Sequence, residues 1–415
     1  MPLQGGRKYP KTRRPSAAIA AENPVTPVEK EPLEEIAQEA AIVYDIEPAE
    51  FQEEQKKNHL CTIRVLLDEH DRIEKSAWDF ESEQGFTVSD SLTMPIRGIG
   101  FDAPTLTIGH SRGVLYVNGR RCSKKQIHLI PHNGTIRYGN HSYHGSMMII
   151  AHENSWLLIN VLDLEDYIYS VLQSESWPGW PLEVNKVFAV SSRTYAIAMM
   201  VRSNAKKLPY HLRNTNVHQT YEGVHENADL RRAVEKTKGV FIGHHNKPIL
   251  AMFDSCCGGI IPAHIRDFDF SKAPYLAREY PCTHCKRCKI YHWEVEYSMD
   301  QLERIFKTDY PHLSKIKSLE VSKRDKAGLV DKIAIGGKKQ NASITGKKLY
   351  SLLKDVKSFC FDIQMRNNTV RIKGRGYGHH LGLCQWGARE MVRDGSDYRS
   401  ILKFYYPGTC FMTLA

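Results

Sequence analysis

The chain has no apolar run approaching the roughly 20 residues that cross a bilayer, so no transmembrane segment is expected. Its start, MPLQGGRKYPKTRRPSAAIAAENP, carries the basic residues of a secretion signal. It lacks the apolar stretch of about 7–15 residues that follows in such signals, and read alone it predicts a cytoplasmic protein. No Gly-Lys-Ser/Thr follows a glycine-rich turn, which removes the usual reason to expect bound nucleotide. Beyond KYPKTRR there is no basic stripe interleaved with aromatics, so no nucleic-acid partner is expected. No internal repeat is visible. What remains is an ordinary globular balance, 41% hydrophobic and 25% charged over 415 residues, long enough for more than one domain. The net charge of +10 and a pI near 9.0 favour an anionic partner without choosing among lipid, nucleic acid and cell-wall polymer.

Ten cysteines are present, five of them within Cys256–Cys288. A chain of this size can bury a core without disulfide staples, so the clustering favours a metal site. Cys282-x2-Cys285-x2-Cys288, with Cys256-Cys257 upstream and His284 inside the run, suits a tetrahedral zinc site built from four thiolates or three and an imidazole. The same spacing begins an iron–sulfur run, but the fourth cysteine of that run is missing. Disulfides remain the alternative.

The fold class expected is α+β. Residues 1–58 read as a tail or linker, basic and then acidic, with a short helix conceivable over Pro32–Ala41. Residues 59–162 alternate apolar and polar positions between Gly, Asn, Asp and Pro turns, the pattern of a β-rich part. Residues 163–415 form a helical and mixed core with a cleft. In it LEDYIYSVLQSES and LEVNKVFAVSSRTYAIAMMVRS have helical spacing, and Pro181 suits the first turn of the second helix. SMDQLERIFKTD, GKKLYSLLKDV and CQWGAREMVRDG read as further helices, with strands near SLEVSKRD and DKIAIGG.

Two constellations offer chemistry. Glu175 stands among aromatics and prolines in ESWPGWP, surroundings able to raise a carboxyl pKa into the range useful for proton donation. Lys186 and Arg193, two helical turns apart, would share one face beside it; a helix end with two solvated cations fits the same residues. The loop GRGYGHHLGLCQWGA, residues 374–388, allows close backbone approach through its glycines and brings His379, His380 and Gln385 to a loop–helix junction. Glu183 is a conceivable second carboxylate, although first-turn helix stabilisation explains it more simply. A Cys–His hydrolase using Cys384 near His379 has no nameable orienting acid.

Taken together, YIYSVLQSESWPGWPLEVNKVFAVSSRTYAIAM, HQTYEG, FDSCCGG, APYL, CTHC, GRGYGHHLGLCQWGA and ILKFYYPGT resemble, in order, the stage II sporulation protein D and amidase-enhancer family. The resemblance spans about residues 61–412. It implies lytic transglycosylase activity on peptidoglycan, cleaving the MurNAc–GlcNAc β-1,4 bond of peptide-free strands to leave 1,6-anhydro-MurNAc ends. Glu175 falls on the family's catalytic Glu. Lys186, Arg193, Tyr195 and Gln219 fall on substrate-binding positions, as do Tyr221, Tyr275, His379 and Gln385. A structural zinc on Cys257, Cys282, Cys285 and Cys288 is implied, with His284 as the alternative ligand. A glycan-binding activator of an N-acetylmuramoyl-L-alanine amidase is the rival function, with that amidase as partner. A cytosolic zinc protein that binds nucleic acid is a third class. Action on peptidoglycan implies an extracytoplasmic location, in conflict with the unsigned start. Departures are Asp254 for a His, Cys256 for a Thr or Ser, bulky Val187 and Phe188 in a helix normally built of small residues, and His380 for a Gly.

Overall fold

The structure is a computed structural model describing residues 47–414, apart from 57–58, 93–97, 177–178, 215–217, 312, 314 and 339. It is α+β, as expected. The helix suggested at Pro32–Ala41 and the residues Trp177 and Pro178 beside Glu175 lie outside the described residues.

Two antiparallel sheets build the N-terminal part. The larger has the spatial order 212–213, 62–71, 155–163, 146–152, 126–131, 86–89 and 99–101, with 212–213 joining in parallel. The smaller runs 141–143, 136–138, 76–81, 105–111, 114–117 and 120–122. Side chains alternate along a strand, so Met147 and Ile149 join the main core with Trp78, Phe80 and Ile108. Met148 points the other way, into a small cluster with Leu66, Leu157 and Ile159.

The tail predicted over 1–58 ends in a formed helix, α1 (Pro48–Lys56), whose Phe51 is fully buried against the edge of Phe241. α2 (Leu164–Glu175) starts at Asp163, which accepts the Glu165 N–H, and carries Glu165 and Asp166 in its first turn, where the helix dipole favours them. α3 (Leu182–Ala205) begins after Pro181. It is buried nearly all round, from Val184 to Val201, as a central core helix must be. α4 (Ala228–Lys236), capped by Asn227, packs against both α2 and α3.

One core cluster runs from Phe51 to Tyr406, so packing is continuous across residue 162. A module with its own core is inserted further along the chain. Strands 292–298, 369–375 and 361–366 form one of its sheets and 316–324, 330–337 and 341–345 the other. Helices α5 (Met299–Asp309) and α6 (Gly346–Leu352) complete it, around a separate core of Leu302, Phe306, Ile333, Leu349 and Ile372. Residues 292–375 hold eighteen Lys and Arg against ten Asp and Glu, an excess of eight that accounts for most of the chain's net charge of +10. The Arg266–Asp331 and Lys347–Asp267 ion pairs clamp the module to the main body. A cavity at this junction, lined by Ile265, Leu329, Thr345 and Phe359 beside those ion pairs, includes none of the predicted site residues. The chain then returns through α7 (Gln385–Arg393) and α8 (Tyr398–Tyr405).

Candidate active site and metal centre

Glu175 is the last residue of α2. The helix stops there because Ser176 turns extended; its N–H still bonds the Leu172 carbonyl, and its hydroxyl donates to Asn185 Oδ1 at 2.6 Å. This link fixes the end of α2 to the start of α3. Glu175 keeps a partial opening to solvent, yet protein atoms crowd its carboxyl on every side. Burial therefore pushes its pKa up to about 7, only partly offset by the Thr220 backbone N–H. Among the described residues no cation is paired with it.

Its neighbours come from three separate stretches. Tyr167, two turns back on α2, feels the Glu175 charge and donates to Gln219 Oε1 at 3.0 Å. Gln219 Nε2 in turn reaches the Ser192 carbonyl on α3 at 3.4 Å. Gln385, at the start of α7, donates to the Glu175 backbone carbonyl at 3.5 Å. Tyr221 donates to Asn160 at 2.6 Å and packs 5.2 Å from the Tyr167 ring. The structure thus gathers Glu175, Gln219, Tyr221 and Gln385 as anticipated, with Tyr167 and the Thr220 amide added.

Other predicted substrate residues are consumed by the fold. Arg193 is fully buried and forms a two-pronged ion pair with Glu165 at 2.9 and 2.5 Å. Its remaining donors go to the Ala189 and Val240 carbonyls, so it cannot meet a substrate. Lys186 is tied to Glu183 and lies over the Tyr398 ring, while Glu183 also accepts the Tyr398 N–H. Lys186 and Glu183 thus form an α3–α8 joint, while Arg193 ties α3 to α2. Tyr195 is buried near the His218 ring, and the buried Tyr275 hydroxyl accepts the Leu250 N–H at 3.1 Å. His379 donates from Nε2 to the Phe253 carbonyl and accepts at Nδ1 from Leu381. Burial lowers its pKa to about 4, leaving a neutral ring with both nitrogens engaged.

The glycine-rich loop owes its path to close approach. A Cβ at Gly378 would fall 2.4 Å from that of Asp254, at a φ of +127°. Asp254 accepts the His380 N–H at 2.9 Å, and His380 itself takes a φ of 70°, a conformation that favours glycine.

Cys257, Cys282, Cys285 and Cys384 are buried with all four sulfurs within 4.8 Å of one another. Ligands about 2.3 Å from one zinc ion lie about 3.8 Å apart, and Cys257 and Cys285 Sγ are 3.7 Å apart. The donor set fits a thiophilic tetrahedral ion. The set differs from the expected one in its fourth member. The fourth thiol is Cys384, the residue that caps α7, rather than Cys288, which faces Cys256 at 3.6 Å; His284 turns to Asp394 and the Phe404 ring. The Cys384 sulfur accepts the Cys257 and Gly387 N–H groups. None of the ten cysteines is joined in a disulfide.

The chain matches the Stage II sporulation protein family over residues 152–244, the stretch holding α2 and α3. It also matches a domain of unknown function (DUF8618) over 276–382, which includes the inserted module. It is 34% identical over 269 residues to an uncharacterized protein of Brachyspira hyodysenteriae, covering 64% of this chain and 71% of the relative. It is 26% identical over 289 residues to the amidase enhancer of Bacillus subtilis, covering 58% of this chain and 39% of that protein. Against the stage II sporulation protein D of Bacillus amyloliquefaciens it is 26% identical over 267 residues, covering 60% and 73%. With these motifs in one order on one continuous core, the chain belongs to the stage II sporulation protein D and amidase-enhancer family.

Proposed function

We propose that this protein is a peptidoglycan lytic transglycosylase working outside the inner membrane on peptide-free glycan strands. The observation that carries the reading is Glu175, a carboxyl held near pH 7 by burial with no paired cation among the described residues. Such a group is protonated often enough to give its proton to the glycosidic oxygen as the C1–O4 bond breaks. The resulting carboxylate then takes the proton of the same sugar's C6 hydroxyl as O6 bonds to C1, regenerating the acid. Because the nucleophile belongs to the substrate, the pair of carboxylates a hydrolase needs is not required, and Glu183 is already held by Lys186 and Tyr398. Tyr167, Gln219 and Gln385 hold the carboxyl's surroundings in place. A zinc ion on Cys257, Cys282, Cys285 and Cys384 would have a structural part, tying the cysteine loop to the start of α7 and so to Gln385.

The test is digestion of amidase-treated strands with product analysis by mass spectrometry. Anhydro-ended products that vanish in Glu175→Gln support the reading. Reducing-end products would make the protein a hydrolase.

The relative named an amidase enhancer supports a second reading, a strand-binding activator of a cell-wall amidase. The burial of Arg193 favours it too, since one expected substrate cation is unavailable. In that case Glu175→Gln leaves amidase stimulation intact and no strand is cut.

A further inference from the structure

Six cysteines, not four, meet beneath α7. Cys256, Cys257, Cys282, Cys285, Cys288 and Cys384 are all buried, Cys288 least so at 9% exposed. Their sulfur contacts sort into two groups with a common edge. Cys257, Cys282, Cys285 and Cys384 have their sulfurs within 4.8 Å of one another. Cys256, on the other side, faces Cys288 at 3.6 Å and interacts with the same Cys285 and Cys384. We propose that these thiolates hold two zinc ions as a binuclear centre bridged by Cys285 and Cys384, with Cys257 and Cys282 completing one tetrahedron and Cys256 and Cys288 the other. The inference does not rest on the transglycosylase reading.

Two sulfur pairs, one in each set, already have the separation this needs. Tetrahedral zinc–thiolate geometry separates sulfurs by about 3.8 Å, and the terminal pair Cys256–Cys288 stands at 3.6 Å against 3.7 Å for Cys257–Cys285. Charge suits it as well. One zinc with four thiolates carries two negative charges, and a second zinc bringing two more thiolates leaves that total unchanged. Six thiols release six protons as two ions bind. The Cys257 and Gly387 N–H groups, both 3.3 Å from Cys384 Sγ, spread the excess charge over a bridging sulfur, and the Tyr405 hydroxyl lies 3.1 Å from Cys282 Sγ.

The backbone holds the set open for metal. Cys256 is locked by paired hydrogen bonds with Tyr377 at 3.1 and 2.7 Å. Cys288 follows the short turn His284–Arg287, and its N–H bonds the Cys285 carbonyl at 3.0 Å. A rotation of the Cys288 side chain toward Cys285 and Cys384 closes the second tetrahedron. Gly387 is the matching concession on α7, since a Cβ there would lie 2.9 Å from Cys282 Sγ and 3.2 Å from Cys384 Sγ.

The test is metal content of the full chain, purified without chelator from zinc-supplemented cells, by elemental and native mass spectrometry. Two zinc ions per chain are expected, falling to one in Cys256→Ser/Cys288→Ser with the fold retained by circular dichroism, and to none in Cys285→Ser. Cadmium-113 exchanged into the wild type should give two resonances coupled through the shared sulfurs. This second readout stands even if the serine variants do not fold. A single zinc that the double variant keeps, a single cadmium resonance, a Cys256–Cys288 disulfide in thiol-trapped protein, or iron with acid-labile sulfide would each overturn the proposal.

Discussion

The two ends of α2 carry the same functional group in opposite circumstances. At its start, Glu165 meets the buried Arg193 through two oxygens and also accepts the Gly239 N–H at 3.0 Å. At its end, Glu175 is also hemmed in by protein, but among the described residues its carboxyl receives the Thr220 amide and no cation, and burial lifts its pKa to about 7. A buried carboxylate given a guanidinium becomes a rivet, while one denied a counter-charge becomes an acid. Glu175 and Arg193, both singled out in the sequence, thus meet opposite surroundings.

The comparison can be broken most strongly at the acid. Glu175→Gln should lower strand cleavage by roughly 10³-fold, within the usual range for losing a general acid, with circular dichroism unchanged; a loss under tenfold would remove Glu175 from the chemistry. At the other end, Arg193→Met should cost about 3–5 kcal/mol in urea unfolding, because Glu165 is left charged and uncompensated. Adding Glu165→Gln should recover most of that loss. If the single variant costs nothing, Arg193 is not the rivet described.

Stability against pH sharpens the contrast further. The folded state binds the Glu175 proton more tightly than the unfolded chain does. Its contribution is therefore fully present below pH 4.5, is lost as pH rises toward 7, and is constant above. The stability of Glu175→Gln relative to wild type should accordingly rise by about 3 kcal/mol between pH 4 and pH 8. A flat difference in denaturant melts across that range would contradict it. The smallest effect is expected at Lys186→Met, where a partly exposed pair with Glu183 is worth under about 1 kcal/mol. Cleavage should then change by less than about threefold; a large loss would mean the lysine reaches the glycan after all.

Much of the fold was legible. Period-two alternation marked the strands before residue 163, and helical spacing marked α2, α3, α5, α6 and α7. α4 was missed because its apolar side is only Leu230, Ala233 and Val234, and α1 because a single residue, Phe51, anchors it. The module at 292–375 was invisible because its strands read like their neighbours, and only packing separates its core. At the site, Glu175, Gln219 and Gln385 could be found from motif positions. The face expected for Lys186 and Arg193 failed because spacing shows which side chains share a face, not whether that face meets water; α3 is buried nearly all round. Cys384 escaped because thiols far apart in the chain cluster only once α7 is in place.

The most direct test of the central claim is the titration of the Glu175 side chain itself, by carbon-13 glutamate NMR of the wild type with Glu175→Gln as the assignment control. One carboxyl should titrate near pH 7 in the wild type and be absent from the variant. A Glu175 signal titrating near 4.5 would show an ordinary surface carboxylate and would contradict the acid role.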